Sequence, residues 1–144
     1  FDAIILAAAG LERMGLESYS QYTIATDIML PACGQGALGI ECRTSDTLLQ
    51  ALITPLNDAM TATCVNAERQ VNARLGGNCH VPLAVFCQPD GNDVLTIQAK
   101  VLTADGKHII REQRSGSTAL ATQLANDCAA SMLANGAKEL LHCS

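Results

Sequence analysis

The spacing of apolar positions changes character three times along this chain. The run 2–8 (Asp-Ala-Ile-Ile-Leu-Ala-Ala) is short and continuously apolar and ends near Gly10, which predicts a buried strand. A helical turn over 11–14, closed by Gly15, and a polar stretch over 17–27 follow. Residues 28–30 read as a short strand before Pro31, and 37–43 as a longer one. Between them, Gly34-Gln35-Gly36 leaves the backbone free to turn and reads as a hinge.

From residue 46 the period becomes helical. A helix over 46–53, capped by Thr44 or Ser45, is ended by Pro55. Asn57 can cap the next, over 58–75, in which Met60, Cys64, Ala67, Val71 and Leu75 recur at helical spacing. The pattern then turns strand-like over 80–88, 94–102 and 107–114. Both connections, Pro89-Asp90-Gly91-Asn92 and Ala104-Asp105-Gly106, contain the Asp-Gly pair that favours hairpins. Ser117 starts a last long helix through Leu120, Leu124, Cys128 and Met132. Asn135-Gly136 stops it, and 137–141 adds one further turn.

Residues 57–144 therefore read as a self-contained α-β-β-β-α unit of α+β type: a three-stranded antiparallel sheet with helices covering one face. The strands expected at 2–8 and 37–43 find no partners in this sequence, and two isolated strands make no stable sheet. The chain opens on Phe1 and enters a strand at once, which sets the expectation of a portion of a longer α/β protein. No repeat and no low-complexity tract interrupts it.

Composition narrows the chemistry. Apolar residues make up 49%, yet there are only two Phe, two Tyr and no Trp, so the core is aliphatic. No run is long enough for a membrane span, and a net charge of −5 disfavours nucleic acid and anionic membrane surfaces. The seven cysteines are odd in number and form no C-x-x-C pair, which argues against a disulfide framework or a zinc knuckle and for a reducing compartment such as the cytoplasm. Cys64 and Cys128 fall on apolar helix faces and are expected in the core. Cys79 differs: it follows Gly76-Gly77-Asn78, which ends a helix, and precedes a strand, so its sulfur is expected at an accessible corner.

Three segments carry a resemblance. Glu68-Arg69-x-Val71-x-x-x-Leu75-x-Gly77-x-Cys79-x-Val81-Pro82-Leu83-Ala84 is similar to the signature around the cofactor-bearing cysteine of the porphobilinogen deaminase (hydroxymethylbilane synthase) family. The segment from Asp2 to Gly15, with Ala9-Gly10-Leu11-Glu12-Arg13, resembles that family's strand and turn carrying a substrate-binding arginine. Leu30-Pro31-Ala32-Cys33-Gly34-Gln35-Gly36-Ala37-Leu38-Gly39-Ile40-Glu41-Cys42-Arg43 resembles its interdomain hinge and following strand. One position departs: the family mostly has glycine where Asn78 stands, and asparagine is the next-best residue for a left-handed backbone.

The resemblance implies a transferase of tetrapyrrole and haem biosynthesis that joins four porphobilinogen molecules into hydroxymethylbilane with release of ammonia. Its growing chain hangs from a dipyrromethane cofactor held by a cysteine thioether. By resemblance Cys79 is that anchor, a sulfur nucleophile that traps an electrophilic methylene-pyrrole. Arg13 binds acetate or propionate groups of cofactor or substrate, Gln35 hydrogen-bonds the ligand from the hinge, and Arg43 is a further carboxylate contact. Read without the family, Arg13 and Arg43 are solvated or locally paired charges and Gln35 is only part of a turn.

Glu68 and Arg69 are expected to fix the helix that carries the loop. His80, next to the anchor, would suit a base. Strand alternation turns neighbouring side chains to opposite faces, and the family does not require histidine there, so its position is expected to be incidental. His108 and His142 have no partner pattern, and no metal site is expected. The resemblance divides the chain into the end of a second domain (1–30), a hinge (31–36), a return segment of a first domain (37–54) and a whole third domain (57–144). It implies that the catalytic aspartate and most carboxylate-binding bases lie on the N-terminal half of the same enzyme, a monomer when full length. This stretch alone is then expected to be inactive. The alternative from another class is a non-enzymatic α/β binding module whose loop cysteine is structural.

Overall fold

In the computed structural model, residues 2–77 and 81–142 are described. In chain order they form α1 (Ala8–Arg13), α2 (Thr47–Ile53), α3 (Ala59–Arg74), β1 (Leu83–Pro89), β2 (Val94–Leu102), β3 (Ile109–Ser117), α4 (Ala121–Ala134) and α5 (Ala137–His142). Short 3-10 turns lie at Glu17–Tyr19, Thr54–Leu56 and Thr118–Leu120.

The sheet is an antiparallel meander, β1-β2-β3, with Val85 opposite Ala99 and Ala99 opposite Glu112. Strand alternation gives it two unlike faces. One presents Val85, Cys87, Leu95, Ile97, Ala99 and Val101, all buried beneath α3 and α4. The other carries Gln98, Lys100, Arg111 and Gln113. α3 lies over β1 and α4 over β3. The helices approach closely because their inner faces are built from small residues, Ala67 on α3 and Ala121, Ala125 and Ala129 on α4. At the β3 end, Gly116 leaves room for Leu124 of α4; a Cβ there would lie 3.2 Å from the leucine. On the helix-facing side of β3, Ile110 packs against the core opposite Val101, and the middle of the strand is polar. Arg114 pairs with Glu112 at 3.1 Å, and Glu112 also accepts from the Ser131 hydroxyl of α4.

The C-terminal unit is thus the expected one, with shifted ends. The caps are Asp46 and Asp58, not Thr44, Ser45 or Asn57: Asp46 accepts from the Leu49 amide at 3.0 Å and Asp58 from Thr61 at 2.7 Å. β1 starts at Leu83, short of the expected residue 80, and β3 runs Ile109–Ser117 where 107–114 is expected. Pairing with β2 sets both limits: Leu83 meets Val101, and Ser117 meets Val94. Ser117 caps the 3-10 turn that precedes α4. His80 lies outside the described residues.

The strands expected at 2–8, 28–30 and 37–43 do not form; β1–β3 are the only strands among the described residues. Residues 2–7 are irregular, and the chain enters α1 at Ala8, three residues before the expected turn. A strand satisfies its N–H and C=O groups only against another strand. These segments meet none, so Ile4, Ile5, Leu38 and Ile40 stand exposed.

Candidate functional site

α3 organises the region around the signature. Cys64, Ala67 and Val71 turn its apolar stripe toward the sheet, and Glu68 lies on that stripe as a buried carboxylate. Its two oxygens are each used: Oε2 accepts from the Gly34 amide at 2.6 Å and Oε1 from the Cys87 amide at 2.8 Å. Burial pushes the Glu68 carboxyl above its ordinary range, and the two amide hydrogen bonds offset part of that rise. The expectation that Glu68 steadies the helix is too narrow, because it also joins the Gly34 turn to the edge of β1. A carboxylate at helical spacing between Cys64 and Val71 was the available signal.

The helix ends in a Schellman motif. Leu75 is the cap, Gly76 takes φ +72°, the Gly76 amide reaches the Ala73 carbonyl, and the Gly77 amide reaches that of Asn72 at 2.9 Å. Gly77 has a separate reason to be glycine, since any Cβ there would collide with the side chains of Asn72 and Leu83. The two glycines thus do different work: Gly76 supplies the left-handed turn and Gly77 the space beside Asn72 and Leu83. The sheet picks the chain up again at Leu83, with the Leu102 amide on the Pro82 carbonyl at 3.0 Å. Asn78, Cys79 and His80 lie outside the described residues, as does Cys143.

The other cysteines sort by environment. Cys64, Cys87 and Cys128 are buried, as expected for the first and last. Burial, then the adjoining Cys64 thiol, drives the Cys87 thiol far up; burial, then the Glu112 charge, pushes Cys128 up to about 11, with Arg114 pulling the other way. Half-buried Cys33 is also raised, by burial and then by Glu68. Thiols held protonated in this way are poor nucleophiles.

Arg13 is the last residue of α1, exposed, with no ion-pair partner among the described residues. Gln35 is exposed at the turn, where its amide donates to Ala32 at 3.0 Å. Arg43 does not end a strand. It faces Asp46 at 3.9 Å with its side chain 86% exposed, a loose local pair. No hydrogen bond or ion pair joins Arg13, Gln35 and Arg43 to one another among the described residues. Free guanidinium and amide donors suit a ligand bearing several carboxylates. The described residues include no cluster of side chains able to hold a metal ion, and no helix long and apolar enough to cross a membrane.

Two family models match the chain in succession. Residues 1–51 match the model described as porphobilinogen deaminase, dipyromethane cofactor binding domain, and residues 62–134 the model described as porphobilinogen deaminase, C-terminal domain. Among curated proteins, the porphobilinogen deaminases of Legionella pneumophila strains Philadelphia 1 and Lens are each 51% identical over 141 residues. The alignment takes in 98% of this chain and 46% of each relative, so the chain spans a little under half the length of the curated relatives it matches.

Proposed function

The chain belongs to the porphobilinogen deaminase family, and from that premise we propose that it serves as the C-terminal portion of a cytoplasmic transferase converting porphobilinogen to hydroxymethylbilane. The observation that carries the reading is the succession of both family matches on one chain, at 51% identity to curated porphobilinogen deaminases. In this reading residues 1–30 complete one domain, 31–36 are the hinge, 37–54 complete another, and 57–144 form the third. The exposed Ile4, Ile5, Leu38 and Ile40 support it, because they are apolar side chains whose segments find no strand partner here.

Cys79 is the proposed covalent anchor of the dipyrromethane. When bound, that group supplies the primer to which porphobilinogen units are added. The chain's own residues hold and orient it. The Schellman turn at Gly76-Gly77 ends α3 just ahead of Cys79, and β1 begins four residues after it. The Arg13 guanidinium would bind a carboxylate of that group, the Gln35 side-chain amide would donate to it from the hinge, and Arg43 would exchange its loose Asp46 contact for a ligand carboxylate. The buried thiols of Cys64, Cys87 and Cys128 do not compete for the electrophile.

The test is Cys79→Ala in the complete enzyme. Intact mass should show a two-pyrrole adduct on the natural protein and none on the variant, with turnover lost. Wild-type turnover by Cys79→Ala would sink the assignment. Arg13→Leu should keep the fold and weaken ligand binding. A lost charge-assisted hydrogen bond is worth roughly 1.5–3 kcal/mol, a tenfold or larger effect. Unchanged kinetics and full cofactor loading in that variant would remove Arg13 from the site.

A further inference from the structure

The segment ahead of α3 is strapped to the sheet unit at two places. Leu30, 8% exposed, is the one buried residue among the described positions before α3. With Asp27 it borders a cleft of about 390 Å³ whose other wall includes Gln98, Lys100, Arg111 and Gln113, on the sheet face turned away from the helices. The second attachment is Glu68, which receives the Gly34 and Cys87 amides on its two oxygens. β1 is an edge strand, and Glu68 satisfies one of its outward donors. The strap therefore starts over the open face and ends on the helix side, passing the β1 edge.

A carboxylate suits this place because it offers two acceptors and no donor. Glutamine keeps one acceptor and turns an NH₂ toward the other amide. Neither the Gly34 nor the Cys87 amide has another acceptor among the described residues. One turn further along α3, the Asn72 carbonyl holds the Gly77 amide. α3 thus carries the attachment of the Gly34-Gln35-Gly36 turn and that of the Gly76-Gly77 turn four residues apart, about 6 Å of helix rise.

We propose that Glu68 is a positioning residue: by bridging the Gly34 and Cys87 amides it fixes where the hinge leaves the sheet unit, and so the offset between the hinge and the turn that leads to residue 79. The inference rests on the family reading for the identity of the hinge, and on the hydrogen bonds alone for the latch.

Amide hydrogen exchange on the 144-residue chain tests the latch without any activity. In the natural sequence the Gly34 amide should exchange at least tenfold more slowly than that of Gly36, which donates to nothing among the described residues. In Glu68→Gln, whichever of Gly34 and Cys87 faces the NH₂ should accelerate tenfold or more while Ile97 and Val101 stay within twofold. Equal rates at Gly34 and Gly36 in the natural chain overturn the proposal, whether or not the variant folds. So does a Glu68→Gln chain in which neither Gly34 nor Cys87 accelerates, or an acceleration shared equally by Ile97 and Val101. In the complete enzyme, Glu68→Gln should lower kcat at least fivefold, leaving KM within twofold and the adduct mass intact; unchanged kcat with either amide released overturns the positioning role. If the natural enzyme showed no turnover of porphobilinogen, the family reading would fail and the exchange results would stand.

Discussion

Residues 2–58 and 59–142 are one polypeptide of similar aliphatic character, yet they solve the burial problem differently. In the second region two helices close over a three-stranded sheet, and Leu95, Ile97, Val85 and Met132 are sealed from water. In the first, Leu30 is the buried exception, while Ile4, Ile5, Leu38, Leu48 and Leu52 face outward. Hydrophobicity alone therefore does not make a core. A residue is buried only if a partner surface arrives, and each backbone segment must find hydrogen-bond partners as it is buried. α2 makes the point locally: Asp46 caps it well, but it has no buried residue and stands on the surface.

The sharpest way to break this contrast is to delete leucine side chains on either side of it. Leu95→Ala, at a fully sealed position, should cost about 2–5 kcal/mol, the loss of burial plus a cavity. Leu38→Ala, 85% exposed, should stay within about 0.5 kcal/mol. Denaturant melts of the two variants decide it, and equal losses would show that the first region shares the core.

A smaller effect comes from adding a methyl group. Gly116→Ala forces its Cβ toward Leu124 and should cost about 1–3 kcal/mol. Gly39→Ala meets nothing within 4 Å and should be nearly neutral in the same melts. A neutral Gly116→Ala would mean that α4 shifts freely over β3.

The finest test is titration, since Glu68 is one of the two places where the regions touch. Its folded carboxyl lies above the ordinary value near 4.3. The stability linked to this group is therefore fully present below the unfolded value and lost as pH rises through the higher folded one. Asp105 runs the other way. Hydrogen bonds from the Thr103 hydroxyl, then from Lys107, hold it down to about 2. Its contribution is present above the unfolded value near 3.9 and disappears as pH falls toward 2. Carboxyl carbon shifts followed by NMR should show Glu68 protonating well before Asp105. The reverse order would mean that Glu68 is not buried against the sheet.

By itself the sequence determined the sheet unit, because there local signals and packing agree. The apolar spacing from Cys64 to Leu75, the alternation in 94–102, the Asp-Gly turns and the apolar face through Leu124, Cys128 and Met132 each specify an element whose partners lie within the next few tens of residues. The motif of residues 68–84 pointed to the family through residue identity, which needs no coordinates. Tertiary structure alone decided the rest. Whether 2–8 and 37–43 become strands depends on a neighbouring backbone, and apolar content cannot report that neighbour's presence. Helix caps were settled by which carboxylate reaches a free amide, so Asp46 and Asp58 won over the residues beside them. The tie between Glu68, Gly34 and Cys87 spans 34 residues in one direction and 19 in the other. No local pattern encodes such a contact, since it exists only once the edge of β1 and the turn at Gly34 have been folded against the same face of α3.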